Sequence, residues 1–118
     1  MYTPSHFSEQ DLPTLHAFMR AHSFGTLISQ VEGAPFATHI PFTLDSNRGD
    51  YGTLYCHVAR ANKHWPALKQ DSQSLIIFRG PHAYISPTWY KTEGVPTWNY
   101  TAVHAYGKVR TIEARDEL

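Results

Sequence analysis

The chain has 118 residues and a mass of 13.4 kDa, the size of one domain. Its 10 Lys and Arg balance 10 Asp and Glu, so bulk charge supplies no nucleic-acid surface, which depends on accumulated cations. Hydrophobic residues make up 42% and charged residues 17%, a balance that excludes a disordered or coiled-coil chain. One cysteine, Cys56, excludes an internal disulfide framework and fits a reducing compartment. No apolar run approaches the ~20 residues of a membrane span. Met1 to His6 lacks the basic-then-apolar pattern of a signal peptide. A cytoplasmic protein with no membrane partner is expected.

In chain order, Ser8 to His22 reads as a helix, with Leu12, Leu15 and Met19 at helical spacing. Asp11 is its candidate N-cap, and Pro13 lies in the first turn, where a missing N–H costs little. Phe24 to Val31 and Pro35 to Phe42 read as two strands of a hairpin turning at Glu32-Gly33. Asp45 to Asp50 is a polar loop. Tyr51 to Val58 reads as a third strand, with Leu54, Cys56 and Val58 on one face, which makes Cys56 a small core residue. Asn62 offers a cap for a short helix reaching Lys69. Ser74 to Arg79 is a strand whose centre, Leu75-Ile76-Ile77-Phe78, suits burial on both faces. His82 to Ser86 continues in extended form, and Ser86 to Thr97 is an aromatic, Pro-containing loop. Tyr100 to Glu113 is the last strand, with Gly107 as a bulge position. These elements give a mostly β, antiparallel domain. At this size a small closed or split barrel is economical, because closure removes exposed edges. So small a core also favours dimerisation.

Three groups of residues bear on chemistry. The eight histidines form neither an HxH nor an HExxH pattern, so no metal site is expected. Adjacent Cys56 and His57 point to opposite faces of a strand and make a poor nucleophile–base pair. The stretch His57-Val58-Ala59-Arg60-Ala61-Asn62-Lys63-His64-Trp65 crosses from a strand end into a helix start. There Arg60, Lys63 and first-turn N–H groups can converge on an anion such as a phosphate monoester. A solvated basic turn explains the same spacing equally well. The stretches Ser86-Pro87-Thr88-Trp89-Tyr90 and Val95-Pro96-Thr97-Trp98-Asn99-Tyr100 repeat a Pro-Thr-Trp cluster. Their aromatic faces suit a planar ring, and Asn99 carries both a donor and an acceptor for a heterocycle edge. An aromatic minicore is the competing reading. An anion cradle beside aromatic walls makes a phosphorylated heterocycle such as FMN one candidate among several.

The segments Phe24-Gly25-Thr26, Thr38-His39-Ile40-Pro41, Gly80-Pro81-His82-Ala83-Tyr84-Ile85-Ser86 and Val95-Pro96-Thr97-Trp98-Asn99-Tyr100, then Val103-His104, resemble the PaiB-type family. So does the opening Met1-Tyr2-Thr3-Pro4 with His6-Phe7. Those proteins are FMN-binding split barrels named as negative transcriptional regulators of protease synthesis and sporulation. The resemblance runs in order through the whole chain. It implies one FMN-binding split-barrel domain over 1–118 and a homodimer with FMN at the subunit interface. Family members continue into a largely helical C-terminal portion, which this sequence lacks. By analogy with split-barrel flavoproteins, His57, Arg60 and Asn62 reach the phosphate. Thr38, His39, Ile40 and Pro41 line the isoalloxazine ring. Trp98, Asn99 and Tyr100 meet the flavin from a neighbouring strand or the partner subunit.

Three functions compete at this level: a flavin-binding regulator, an FMN-dependent oxidoreductase or flavin reductase, and a flavin-free interaction module. The same fold hosts redox enzymes, and fold does not fix function. The absence of net positive charge and of a helix-turn-helix pattern argues against direct DNA binding.

Overall fold

The computed structural model describes residues 8–69, 73–85 and 97–112. Helix α1 spans Leu12–Ala21. The Asp11 carboxylate accepts from the Thr14 amide at 3.2 Å and the Thr14 hydroxyl at 2.6 Å, closing the first turn. The helix ends where the His22 N–H reaches the Phe18 carbonyl at 3.0 Å. Its inward stripe buries His16 and Met19.

Strands β1 (Phe24–Val31) and β2 (Ala34–Pro41) form the expected hairpin, in register from Phe24–Pro41 to Val31–Ala34. The turn residues Glu32 and Gly33 have φ of 53° and 82°. Two consecutive left-handed residues match the right-handed twist of the strands they join. Strands β3 (Thr43–Asp45) and β4 (Thr53–Tyr55) make a separate two-stranded ladder. Helix α2 follows at His64–Leu68, then β5 (Gln73–Ile85) and β6 (Thr97–Lys108). The main sheet runs β2-β1-β5-β6, and all its pairings are antiparallel. It stays open among the described residues. The architecture is thus the mostly β, antiparallel one expected, in the form of a split rather than a closed barrel.

Alternation decides which face is inside. Along β1, Gly25, Leu27, Ser29 and Val31 are buried. Leu27 stands opposite Thr38 on β2 and Ile76 on β5, so these share the inner face. Met19, Leu27, Phe42, Leu68 and Phe78 form the core, with Phe78 fully buried. Nearby the Ser29 and Ser74 hydroxyls meet at 2.6 Å, which satisfies two buried polar groups at once.

Several sequence expectations change in detail. The third strand shrinks to Thr53–Tyr55 because its partner β3 offers only three residues to pair with. Cys56 therefore leaves the ladder, and its thiol is exposed rather than in the core. The two extended stretches around Gly80-Pro81 are one strand, β5, with its irregularity between Arg79 and His82. Gly107 pairs in register with Ser74 and is not the bulge. Leu75, Ile76 and Ile77 are half-buried, not covered on both faces, because no element of the described chain packs on the outer face of the sheet at Leu75 and Ile77. The aromatic loop of 86–96 and the tail beyond 112 lie outside the described residues. Among the described residues, no helix is long and apolar enough to cross a membrane.

The bulge lets α1 sit close to the sheet. A Cβ on Gly80 would lie 2.9 Å from the Phe18 ring and 2.4 Å from the Thr101 hydroxyl. Gly80→Ala is expected to destabilise the domain by about 1–3 kcal/mol through overpacking. A fall in the urea midpoint without a change in slope checks it.

Candidate functional site

Two expected site residues from distant parts of the chain, Thr38 and Asn62, are hydrogen-bonded to each other, and both bond His64. Thr38 sits on the inner face of edge strand β2 and is half-buried. Asn62 lies in the segment between β4 and α2. Its side-chain Nδ2 donates to Thr38 Oγ1 at 3.2 Å, and its Oδ1 accepts from the His64 amide at 2.9 Å. The Thr38 hydroxyl also meets His64 Nδ1 at 2.7 Å. With Oγ1 accepting from Asn62, its proton and a second lone pair both remain for Nδ1, and the imidazole tautomer sets which of the two groups donates. His64 has 0% relative exposure, and its Nε2 has no hydrogen-bond partner. The Phe36 ring stands almost perpendicular to the imidazole, with centroids 5.1 Å apart. An orphaned buried polar atom costs about 1–3 kcal/mol, so this imidazole is not there for stability alone.

Around this buried cluster, the same segment turns its charges outward. His57, Arg60 and Lys63 are exposed. Asn62 N bonds the Ala59 carbonyl at 3.0 Å and Trp65 N bonds the Asn62 carbonyl at 3.0 Å, so the backbone turns tightly here. The first-turn N–H groups of α2 expected to hold an anion are partly taken. Asn62 occupies those of His64 and Trp65, and the helix has only five residues. Cation side chains, not a helix terminus, are what this segment offers an anion.

Strand geometry separates the other expected residues. Thr38 and Ile40 are half-buried on the inner face, while His39 and Pro41 are exposed on the other. Four consecutive residues of β2 therefore do not line one surface. His39 Nδ1 pairs instead with Thr26 Oγ1 across the hairpin at 3.0 Å. Trp98, Asn99 and Tyr100 are on β6, opposite Tyr84, Ala83 and His82. They lie at the far edge of the sheet from β2, beyond the stretch where β1 pairs with β5. Sequence reasoning missed His64 as a site residue. The available signal was its place two residues after Asn62, where a capping side chain fixes the next turn.

A family model described as "Putative FMN-binding domain" matches residues 1–118. The chain belongs to this FMN-binding family. It is 41% identical over 118 residues to the "Protease synthase and sporulation protein PAI 2" of Bacillus subtilis, which bears out the PaiB-type resemblance. The match covers 100% of this chain and 56% of that protein, so the chain spans about half the length of its relative. It is also 34% identical to an uncharacterised protein of Saccharomyces cerevisiae, covering 95% of this chain and 79% of that one. An uncharacterised protein of Aspergillus fumigatus is 33% identical, over 92% of this chain and 56% of its own length. FMN is the cofactor of the family.

The donor set fits that cofactor. A phosphate monoester needs exposed, uncommitted cations, and Arg60 and Lys63 provide them on one short turn. A flavin ring has an edge of alternating donors and acceptors above an apolar plane. Thr38 and Ile40 supply a polar and an apolar group side by side on one strand face.

Burial pushes the His64 imidazole below its ordinary value of 6.5, and desolvation does the same at His104. Both rings hold a proton less tightly folded than unfolded. Their contribution to stability is complete above pH 6.5 and is lost as pH falls through the lowered folded values. The urea midpoint is therefore expected to drop between about pH 8 and about pH 5. An NMR titration should place the His64 midpoint below 6.5.

Proposed function

We propose that this domain binds FMN as a homodimer and serves as the flavin-binding part of a PaiB-type regulatory protein. The observation that carries the flavin reading is the β4–α2 segment: exposed Arg60 and Lys63, unpaired among the described residues, and a Thr38–His64–Asn62 cluster around the fully buried His64 that holds the segment from within. Arg60 takes the phosphate through parallel N–H bonds, with His57 and Lys63 adding donors. Thr38 and Ile40 face the isoalloxazine ring. Bound FMN would supply one- or two-electron redox chemistry.

The sheet order supports a second copy. β2 and β6 are at opposite edges, with β1 and β5 between them. Three strand spacings of about 4.8 Å lie between these edges along the sheet, which favours a partner subunit as the source of the Trp98-Asn99-Tyr100 stretch. A partner subunit brings one site's β6 to the other's β2. The outer sheet face carries half-buried Ile28, Leu75 and Ile77, and Tyr106 is 65% exposed there. Such a face suits burial against a copy of itself. The regulatory role rests on likeness to the Bacillus relative. Helices α1 and α2 are separated by β1 to β4, so the described residues contain no helix-turn-helix, and any action on transcription runs through a partner or another part of a longer protein.

The protein purified with FMN should show bound-flavin absorbance and sediment as a dimer. Arg60→Ala should weaken FMN by about one to two decades, the loss of a charge-assisted bond of about 1.5–3 kcal/mol. Riboflavin, which lacks the phosphate, should be affected far less. Equal losses for both ligands would make Arg60 a determinant of site shape instead.

A further inference from the structure

Beyond the residues that would touch flavin, the buried cluster has a role of its own. We infer that His64 is a positioning residue, which clamps the cation-bearing segment 57–63 onto edge strand β2 through Thr38 and so fixes Arg60 relative to the ring-facing residues of that strand.

The inference rests on the flavin reading and on four observations. His64 is fully buried, yet its Nε2 is unpartnered, so the ring is not a well-satisfied core filler. Its Nδ1 bonds Thr38, 26 positions away in sequence, at 2.7 Å. The same Thr38 hydroxyl holds Asn62 at 3.2 Å, and Asn62 in turn holds the His64 amide at 2.9 Å. The three bonds close a ring linking β2 to the turn that precedes α2. No other hydrogen bond among the described residues ties residues 57–63 to β2. Arg60 lies inside that turn, between the Ala59 carbonyl and the Asn62 amide that bond at 3.0 Å. Removing the Nδ1 contact leaves the single Asn62–Thr38 bond to hold the segment on β2, so Arg60 is held less firmly relative to Thr38 while Arg60 itself is unaltered.

Position, unlike simple packing, has a distinctive signature. His64→Phe keeps an aromatic ring against Phe36 and removes the Nδ1 hydrogen bond. FMN affinity should fall about tenfold or more, with riboflavin affinity nearly unchanged. Arg60→Ala should then cost little in the His64→Phe background, because the guanidinium is already misplaced. This coupling is read by a double-mutant cycle. His64→Asn, whose amide can occupy the Nδ1 position, should recover most of the affinity. Thr38→Val breaks the clamp from its other end and, where His64→Phe fails to fold, is read by hydrogen exchange alone, because Thr38 also faces the ring. In flavin-free protein, hydrogen exchange at the Asn62 and Trp65 amides should quicken in both variants.

Equal losses for FMN and riboflavin, additive effects of His64→Phe and Arg60→Ala, or unchanged exchange at those amides would each overturn the clamp. Wild-type protein that binds neither flavin would overturn the flavin reading. The exchange measurement would still decide the clamp by itself.

Discussion

The Thr38 hydroxyl joins three parts of the chain that are otherwise held apart. It sits on β2, an edge strand with a neighbour on one side only. It accepts from Asn62 in the β4–α2 turn and shares a hydrogen bond with His64 Nδ1 at the start of α2. A hydroxyl has one proton and two lone pairs, so two of its three positions are in use. The cost of burying such groups is recovered only when the geometry is right, which makes the cluster sensitive to small displacements. The exposed cations on the same turn inherit their position from this neutral, water-excluded interior.

That interior is graded along the sheet. One row of the inner face carries Phe78 opposite Val103, within an apolar core that α1 joins through Met19. The next row places Thr38, Leu27 and Ile76 side by side. The row after it holds Phe36 opposite Ser29, with Ser29 bonded to Ser74. Polarity thus rises from the α1 end toward the other end of the hairpin. Helix α2 bridges the gradient, with Leu68 in the core and His64 in the polar cluster five residues away or fewer. A helix of five residues has little stability of its own, so these two anchors hold it rather than its propensity.

Local signals were strong where local physics decides the structure. The Asp11 cap with Pro13 behind it, the run of β-formers from Phe24 to Val31 and the Glu32-Gly33 turn all specify α1 and the hairpin from a few adjacent residues. The same reasoning failed where the outcome depends on a distant partner. The alternation from Tyr51 to Val58 reads as one strand, but a ladder extends only as far as its neighbour, and β3 is three residues long. Cys56 is exposed for that reason. The continuous apolar run in β5 reads as buried twice, yet the outer sheet face at Leu75 and Ile77 is left without a packing element. The site was legible in part. Arg60, Asn62 and Thr38 carry recognisable chemistry, but the role of His64 depends on a contact 26 positions back in the chain, which no spacing pattern encodes.

Strand order places a further constraint on any flavin site built from this chain. β1 is bonded on both sides, to β2 and to β5, so β2 cannot move toward β6 without breaking the central ladder. The Trp98-Asn99-Tyr100 stretch is fastened as well, since its backbone pairs with residues 82–84 of β5 past the bulge. A loop could adapt to bring distant groups together, but two paired strands cannot. In the proposed dimer the phosphate-side residues of one copy and the 98–100 stretch of the other would face one ligand. In that arrangement each copy offers one edge as donor and the other as acceptor. Two-fold symmetry then makes both sites complete at once, and a monomer has two half-sites and no whole one. Dimerisation and flavin binding would be thermodynamically linked, with flavin strengthening the dimer by mass action because it binds the assembled form preferentially.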